Sequence, residues 1–333
     1  MIEMPPLRYA QVNGIRIGYY DAGPASDAPP MVLCHGWPEL AFSWRHQIKA
    51  LAESGIRVIA PDQRGYGATD RPDSVEDYDI EHLTGDLVGL LDHLKIDRAI
   101  FVGHDWGGFI VWQMPLRYLD RVAGVVGINT PHSDRAPVDP LQIYRKRFGE
   151  QMYIVQFQDP AREPDRIFAA DVGKTFDFFM RKPMSRQPQP ATPHETSTAG
   201  IGAAATTNLA FPQMVAGYDP ARDRRPNILS EDEKQVFVEA FERSGFTGGI
   251  NWYRNMTRNW ERSLGLDHIV RVPSLMIMAE NDPVLPPSAA DGMERLIPDL
   301  EKYLVRNSGH WTQQEQPDEV SARLLEWRRR RFG

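Results

Sequence analysis

Ala99-Ile100-Phe101-Val102-Gly103-His104-Asp105-Trp106-Gly107-Gly108 is the stretch that decides the fold. Residues 99–103 are short, apolar and rich in β-formers, as a buried strand requires. A helix is predicted from about Trp106 to Tyr118. Between them, small residues two positions either side of Asp105 permit a tight, strained turn. Such a turn lifts the Asp105 side chain above the sheet, at the positive end of the following helix. The same rhythm extends outward. Residues 15–21, 31–34 and Val58-Ile59-Ala60 read as strands, as does Val122 to Ile128. Residues 40–53 set Leu40, Trp44, Ile48 and Leu51 on one helical face, and residues 80–94 do the same with Leu83, Leu87, Leu90, Leu91 and Leu94. Strand and helix in alternation mean crossover connections, hence a mostly parallel sheet with helices on both faces.

The rhythm breaks near Pro131 and resumes near Pro273. Between them, helical patterns are predicted at about 141–156, 164–180, 231–243 and 249–262. The centre, 183–226, is dense in Pro, Ala, Thr and Gly, as an excursion over a site would be. Afterwards come a strand at Ser274 to Ala279, a helix around 288–296, a strand at Tyr303 to Val305 and a final helix from Gln316 to about Arg330. The expected organisation is one α/β core, residues 1–133 and 264–333, interrupted by a mainly helical lid at 134–263.

The chain has 333 residues, 41% hydrophobic and 25% charged, with a net charge of -7. That balance suits a globular protein and excludes a general nucleic-acid binder, which needs a basic face. The run Arg328 to Arg331 reads as a solvated last helical turn. Cys34, the only cysteine, excludes an intrachain disulfide and a cysteine-based metal site; it sits in the apolar run Met31-Val32-Leu33-Cys34 and reads as buried. No stretch approaches the ~18 apolar residues of a membrane span. Residues 1–10 carry no apolar leader, so a reducing cytoplasm is the expected address.

Four pieces carry chemistry. Asp105 needs no base to ionise it at neutral pH and can attack a carbon electrophile to form an ester. His35-Gly36-Trp37-Pro38-Glu39 follows a strand, and its turn can aim the Trp37 N–H inward. With the N–H of Trp106, it would make a two-donor oxyanion hole. His310, in Asn307-Ser308-Gly309-His310-Trp311, and Asp282, in Ala279-Glu280-Asn281-Asp282-Pro283, each follow a strand. An imidazole to activate water and an acid to orient it are what release of an ester requires. Singly, a loop His or Asp is most often structural. Together their chain order is nucleophile, acid, base, each at a strand's C-terminal end. Glu39 and His104 lie beside these turns and are candidates to orient a water or relay a proton, or simply to bond the turns.

With these motifs the sequence resembles the soluble group of α/β-hydrolase-fold epoxide hydrolases. The resemblance rests on HGWPE (35–39), DQRGYG (62–67), GHDWGG (103–108), YIVQFQDP (153–160), NWYRNM (251–256), AENDPV (279–284) and GHW (309–311). It implies an eight-stranded, mostly parallel sheet with an inserted helical cap. It also implies that an epoxide and water become a vicinal diol through a covalent Asp105 ester, with no cofactor and no metal. Tyr153 and Tyr253 then look like the pair that protonates the epoxide oxygen. A phenol of pKa about 10 is protonated at neutral pH and closer to an alkoxide's demand than a carboxylic acid. Gln156 stands where some relatives carry an aromatic, and is assigned to substrate contact or lid packing. Tyr144, Tyr218 and Tyr303 lack a family-like frame and are left structural. Phe157, Phe179, Met180, Leu209, Phe211 and Met214 are expected to line the cavity.

Other readings stay open here. A haloalkane or haloacid dehalogenase would use the same nucleophile but leave the tyrosines idle. A non-catalytic ligand receptor on a hydrolase fold would typically have lost a triad member. A serine esterase is disfavoured by Asp at the turn. The lid also offers a surface on which two copies could pair as a homodimer.

Overall fold

The computed structural model describes residues 2–183 and 209–333. Most of the proline- and alanine-rich centre of the excursion therefore lies outside the described residues. Eight strands form one sheet in the order β1-β2-β4-β3-β5-β6-β7-β8. They are β1 (Arg8–Val12), β2 (Ile15–Ala22), β3 (Met31–Cys34), β4 (Val58–Pro61), β5 (Ala99–His104), β6 (Val122–Ile128), β7 (Ser274–Ala279) and β8 (Leu300–Val305). Strands β3 to β8 pair in parallel, whereas β1 and β2 are antiparallel at one edge.

Period-two alternation builds both faces of the sheet. Val32, Cys34, Ile59 and Phe101 belong to one apolar cluster with α2 (Ile80–His93) and α3 (Trp106–Arg117). Their neighbours Met31, Leu33, Val58, Ala60, Ile100 and Val102 point the other way. There they join Trp44, Ile48 and Leu51 at the start of and along α1 (Arg45–Glu53), and Leu324 and Trp327 of the C-terminal helix (Pro317–Phe332). Strands buried on both faces explain the continuous apolar runs in the sequence.

Chain order reverses where β3 lies between β4 and β5, the place at which open α/β sheets set a ligand crevice at the strands' C-terminal ends. Cys34 pairs with Gly103 in register. The turns after β3 and β5 are thereby brought side by side.

Between β6 and β7 the chain forms α4 (Pro140–Phe148), α5 (Tyr153–Gln156), α6 (Glu163–Ala170), α7 (Val172–Phe179), α8 (Phe211–Ala216), α9 (Glu231–Ser244), α10 (Thr247–Arg254) and α11 (Met256–Arg262). Three of the long helices expected there are broken. Gly149, at φ 77°, ends α4; Asp171, extended, caps α7 through the Lys174 N–H; Asn255 separates α10 from α11. The helix expected at 288–296 is also corrected. It is two short 3-10 turns, Pro287–Ala290 and Met293–Arg295, parted by Gly292 at φ 80°. Among the described residues no helix is long and apolar enough to cross a membrane.

Candidate active site

Asp105 adopts φ 52°, ψ -122° between β5 and α3. A non-glycine residue at positive φ is strained and persists only where its surroundings over-determine it. They do so here by close approach. A Cβ on Gly103 would strike the Gly107 carbonyl, and one on Gly107 would strike the Cys34 carbonyl. The two glycines thus let strand, turn and the neighbouring β3 end press together, and the Asp105 carboxylate is held above the sheet.

Its two oxygens have different surroundings. Oδ1 accepts the Trp37 N–H at 2.8 Å. Oδ2 lies 3.6 Å from His310 Nε2. Trp106 opens α3 immediately after Asp105, so its N–H is among the donors a helix start leaves without an intrahelical partner. The Thr130 hydroxyl donates to the Asp105 carbonyl at 2.6 Å and ties the turn to the end of β6.

His310 Nδ1 meets Asp282 Oδ2 at 2.9 Å. Asp282 is buried, which by itself would raise its pKa. The His310 charge, the His310 and Asn129 side-chain bonds and the Leu285 N–H pull it instead down to about 2. Burial alone would lower the His310 pKa. The carboxylates of Asp282 and Asp105 outweigh it and hold the imidazole well above the usual histidine value.

Glu39 and His104 are both fully buried and share a bond of 2.7 Å between Oε2 and Nδ1. Glu39 also accepts the Gly36 N–H at 2.9 Å, and His104 Nε2 reaches the His310 carbonyl at 2.6 Å. Both residues therefore bond the turns and link the Gly36-Trp37 turn to the His310 backbone.

Three residues that the sequence did not single out complete this floor. Asn129, at φ 64° after β6, donates from Nδ2 to Asp282 Oδ2 (2.6 Å) and to the His310 carbonyl (3.1 Å). Thr312 donates its hydroxyl to Asn129 Oδ1 at 2.7 Å. Glu315 accepts the N–H groups on either side of His310, from Gly309 at 2.9 Å and Trp311 at 3.0 Å. The available signal was an Asn at a strand end, a residue type that tolerates positive φ.

Above the floor, Tyr153 opens α5 and Tyr253 lies in α10, with ring centroids 5.7 Å apart. Burial first, and the Asp105 charge besides, raises both phenols well above their ordinary pKa. Tyr153, Tyr253, Asp105 and Trp106 border one cavity of about 150 Å³. Its other walls come mainly from α3, the segment after β6, α4 and α11, including Phe109, Trp112, Ile143, Tyr144 and Met256.

The expected apolar lining is thus corrected. Phe157 and Phe179 pack on the Trp37 ring, each at 5.2 Å, and Phe211 lies 4.5 Å from the Tyr153 ring. Met180 is buried in the core, Leu209 packs against that core, and Met214 is exposed. Gln156 bonds Gln213 (2.8 Å) and the Gln151 carbonyl (2.7 Å), so it serves packing of the helical segment. Tyr218 and Tyr303 bond Asp223 and Glu319, respectively, whereas Tyr144 joins the cavity wall.

The model of the alpha/beta hydrolase fold family matches residues 29–317. The chain is 42% identical over 332 residues to epoxide hydrolase A of Mycobacterium tuberculosis, covering 97% of each. It is 37% identical over 321 residues to bifunctional epoxide hydrolase 2 of Sus scrofa, covering 94% of this chain and 53% of that longer protein. Among solved structures, epoxide hydrolase A from Mycobacterium thermoresistibile superposes with a TM-score of 0.82 at 36% identity, over 98% of each chain. An epoxide hydrolase from Vigna radiata does so at 0.83 and 30%, over 99% of each. On the evidence of its sheet, its strained Asp105 turn and these relatives, the chain belongs to the epoxide hydrolases of the α/β-hydrolase fold family.

Proposed function

We propose that this protein hydrolyses an epoxide to a vicinal diol, with Asp105 as the covalent nucleophile. One arrangement carries the reading: a carboxylate with one oxygen on the Trp37 N–H and the other facing His310 shares a cavity with two buried phenols. The Asp105 oxygen forms a bond to a ring carbon as the carbon–oxygen bond of the epoxide breaks. Tyr153 or Tyr253 supplies the proton that the departing oxygen takes. Burial keeps both phenols neutral, so the proton is in place before substrate arrives.

Ester formation removes the Asp105 charge, and with it one of the influences that raise the His310 pKa, so the imidazole gives its proton to the phenolate and stands neutral. The imidazole, oriented by Asp282, then takes a proton from water while the water oxygen bonds to the ester carbonyl carbon. The Trp37 and Trp106 N–H groups meet the oxyanion, each such donor being worth about 3 kcal/mol. Collapse breaks the ester bond, the departing alkoxide takes the proton from His310 to complete the diol, and the second proton of the attacking water, left on Asp105, returns to His310. Glu39 and His104 hold the oxyanion turn and the His310 backbone in place. No step calls on a metal or cofactor. A single buried thiol, Cys34, needs no oxidising compartment, which supports a cytoplasmic address.

His310→Gln tests the scheme. Ring opening is expected to proceed and ester hydrolysis to stall, so intact-mass spectrometry shows one epoxide adduct, mapped to Asp105. An adduct elsewhere, or diol formed with no adduct, overturns the assignment. Halide release from haloalkanes in place of diol from epoxides would move the same nucleophile to dehalogenation.

A further inference from the structure

We propose that the active-site cavity contains a subsite for a carboxylate carried on the substituent of the epoxide, with Arg135 as its cationic anchor. This rests on the epoxide reading and adds a substrate class to it. The cavity that holds Asp105 also borders Arg135 and Asn259. Between them and the nucleophile its walls are largely apolar, as a hydrocarbon arm requires.

Arg135 is held rather than loose. Its guanidinium carbon lies 4.1 Å from the Trp260 ring centroid, and its Nε donates to the Trp260 carbonyl at 3.2 Å. Trp260 answers by donating its indole N–H to the Ala136 carbonyl at 2.8 Å. Ring and guanidinium are thereby clasped to the segment after β6. Most of the fork is left over: of five N–H groups, only the one on Nε is engaged among the described residues.

Several other arginines in the helical segment between β6 and β7 are paired with carboxylates. Arg254 takes both oxygens of Asp165, and Arg225 pairs with Asp223. Among the described residues no carboxylate pairs with Arg135. Its neighbour Asp134 is turned to the backbone, accepting the Arg135 N–H at 2.7 Å.

Asn259 supplies the second observation. It is 5% exposed; its Oδ1 accepts the Ile80 N–H at 2.8 Å, and its buried Nδ2 has no partner among the described residues. Two groups with donors to spare, one of them charged, therefore border a largely apolar chamber, whose polar lining here also includes Asp134, His132 and His268. An acceptor-only, negatively charged group complements them, and a carboxylate matches the guanidinium fork in shape as well. In a protein of net charge -7, such a local cation also decides where an anionic substrate is admitted.

The test uses ω-epoxyalkanoates of increasing chain length, each against its methyl ester, with diol measured directly. At the length that spans cavity and subsite, kcat/KM for the acid is expected to exceed that for the ester by about 3–10-fold. The difference should lie in KM and shrink as salt is raised. Arg135→Gln should bring the acid-to-ester ratio to about one, and Arg135→Lys should retain part of it. A ratio that is the same in wild type and Arg135→Gln overturns the subsite while leaving epoxide hydrolysis standing. An acid preference indifferent to salt overturns it without any variant. If wild type makes no diol from any member, the hydrolytic reading falls and the subsite falls with it.

Discussion

The floor and the roof of this site handle charge in opposite ways. On the floor, the carboxylates that matter are met by fixed donors. Asp282 Oδ1 takes the N–H groups of Val284 (2.8 Å) and Leu285 (3.0 Å), while Oδ2 takes His310 and Asn129. Glu39 takes Gly36, His104 and Gln313. In the roof, Tyr253 has the rings of Trp37, Trp106, Tyr153 and Phe157 around it at 4.9–5.7 Å between centroids. A charge that must exist before reaction has to be solvated by oriented dipoles, because burying it bare costs several kcal/mol. A proton that must be surrendered is better stored on a group that burial keeps neutral. The same low dielectric thus serves both halves, with opposite chemistry on each.

The largest effect should come from removing the roof's protons. Tyr153→Phe with Tyr253→Phe leaves the aromatic packing and takes away both acids, so ring opening should fall by about 10²–10⁴-fold. Circular dichroism should be unchanged, and no ester should accumulate on Asp105 even with His310→Gln in the background. Retained ring opening would break the comparison, since the roof would then be packing alone.

A smaller effect is expected on the floor. Asn129→Ala removes the donor shared by Asp282 and the His310 carbonyl. Loss of such an orienting partner typically costs about 10–100-fold in the step it supports. Ester hydrolysis, which needs His310 oriented, should carry that loss, and ring opening should be far less affected. Equal slowing of both steps would mean that Asn129 supports the fold and not the base.

How far the sequence could be read follows the same division. Asp105, His310 and Asp282 were legible because each follows an apolar strand, and glycine marks the turn at Asp105. The floor's second layer was not, because Asn129 and Glu315 act through contacts 153 and 6 residues away that no local pattern records. At the sheet edge β1 was missed, although Asn13-Gly14, both at positive φ, is a two-residue hairpin turn with Val12 opposite Ile15. Its exposed, mixed run RYAQV lacks the apolar character that revealed the central strands. In the helical segment, apolar periodicity ran straight through breaks that Gly149 and Asp171 impose, since periodicity reports which face is buried and not whether the axis continues.

The smallest effect concerns how the two halves are joined. Arg45, the first residue of α1 and 1% exposed, donates from Nε to Glu233 Oε1 of α9 at 2.7 Å and from Nη1 to Gln314 Oε1 at 2.8 Å. Gln314 bonds Glu39 at 3.3 Å, Glu39 bonds His104 at 2.7 Å, and His104 reaches the His310 carbonyl at 2.6 Å. Glu233 is also the N3 residue of the capping box that starts α9. A continuous polar path therefore runs from a helix of the roof to the base on the floor. Continuity alone does not prove coupling, so a double-mutant cycle is the measurement that decides. Arg45→Met and Glu233→Gln should each slow ester hydrolysis by a few fold. Each also destabilises the fold: Glu233→Gln leaves the buried Arg45 charge without its partner, and Arg45→Met removes the bonds to Glu233 and Gln314. Together they should cost less than the sum, with a coupling of about 1–3 kcal/mol in stability. Simple additivity in both readouts would leave roof and floor joined by packing alone, with Arg45 serving only as a satisfied buried cation.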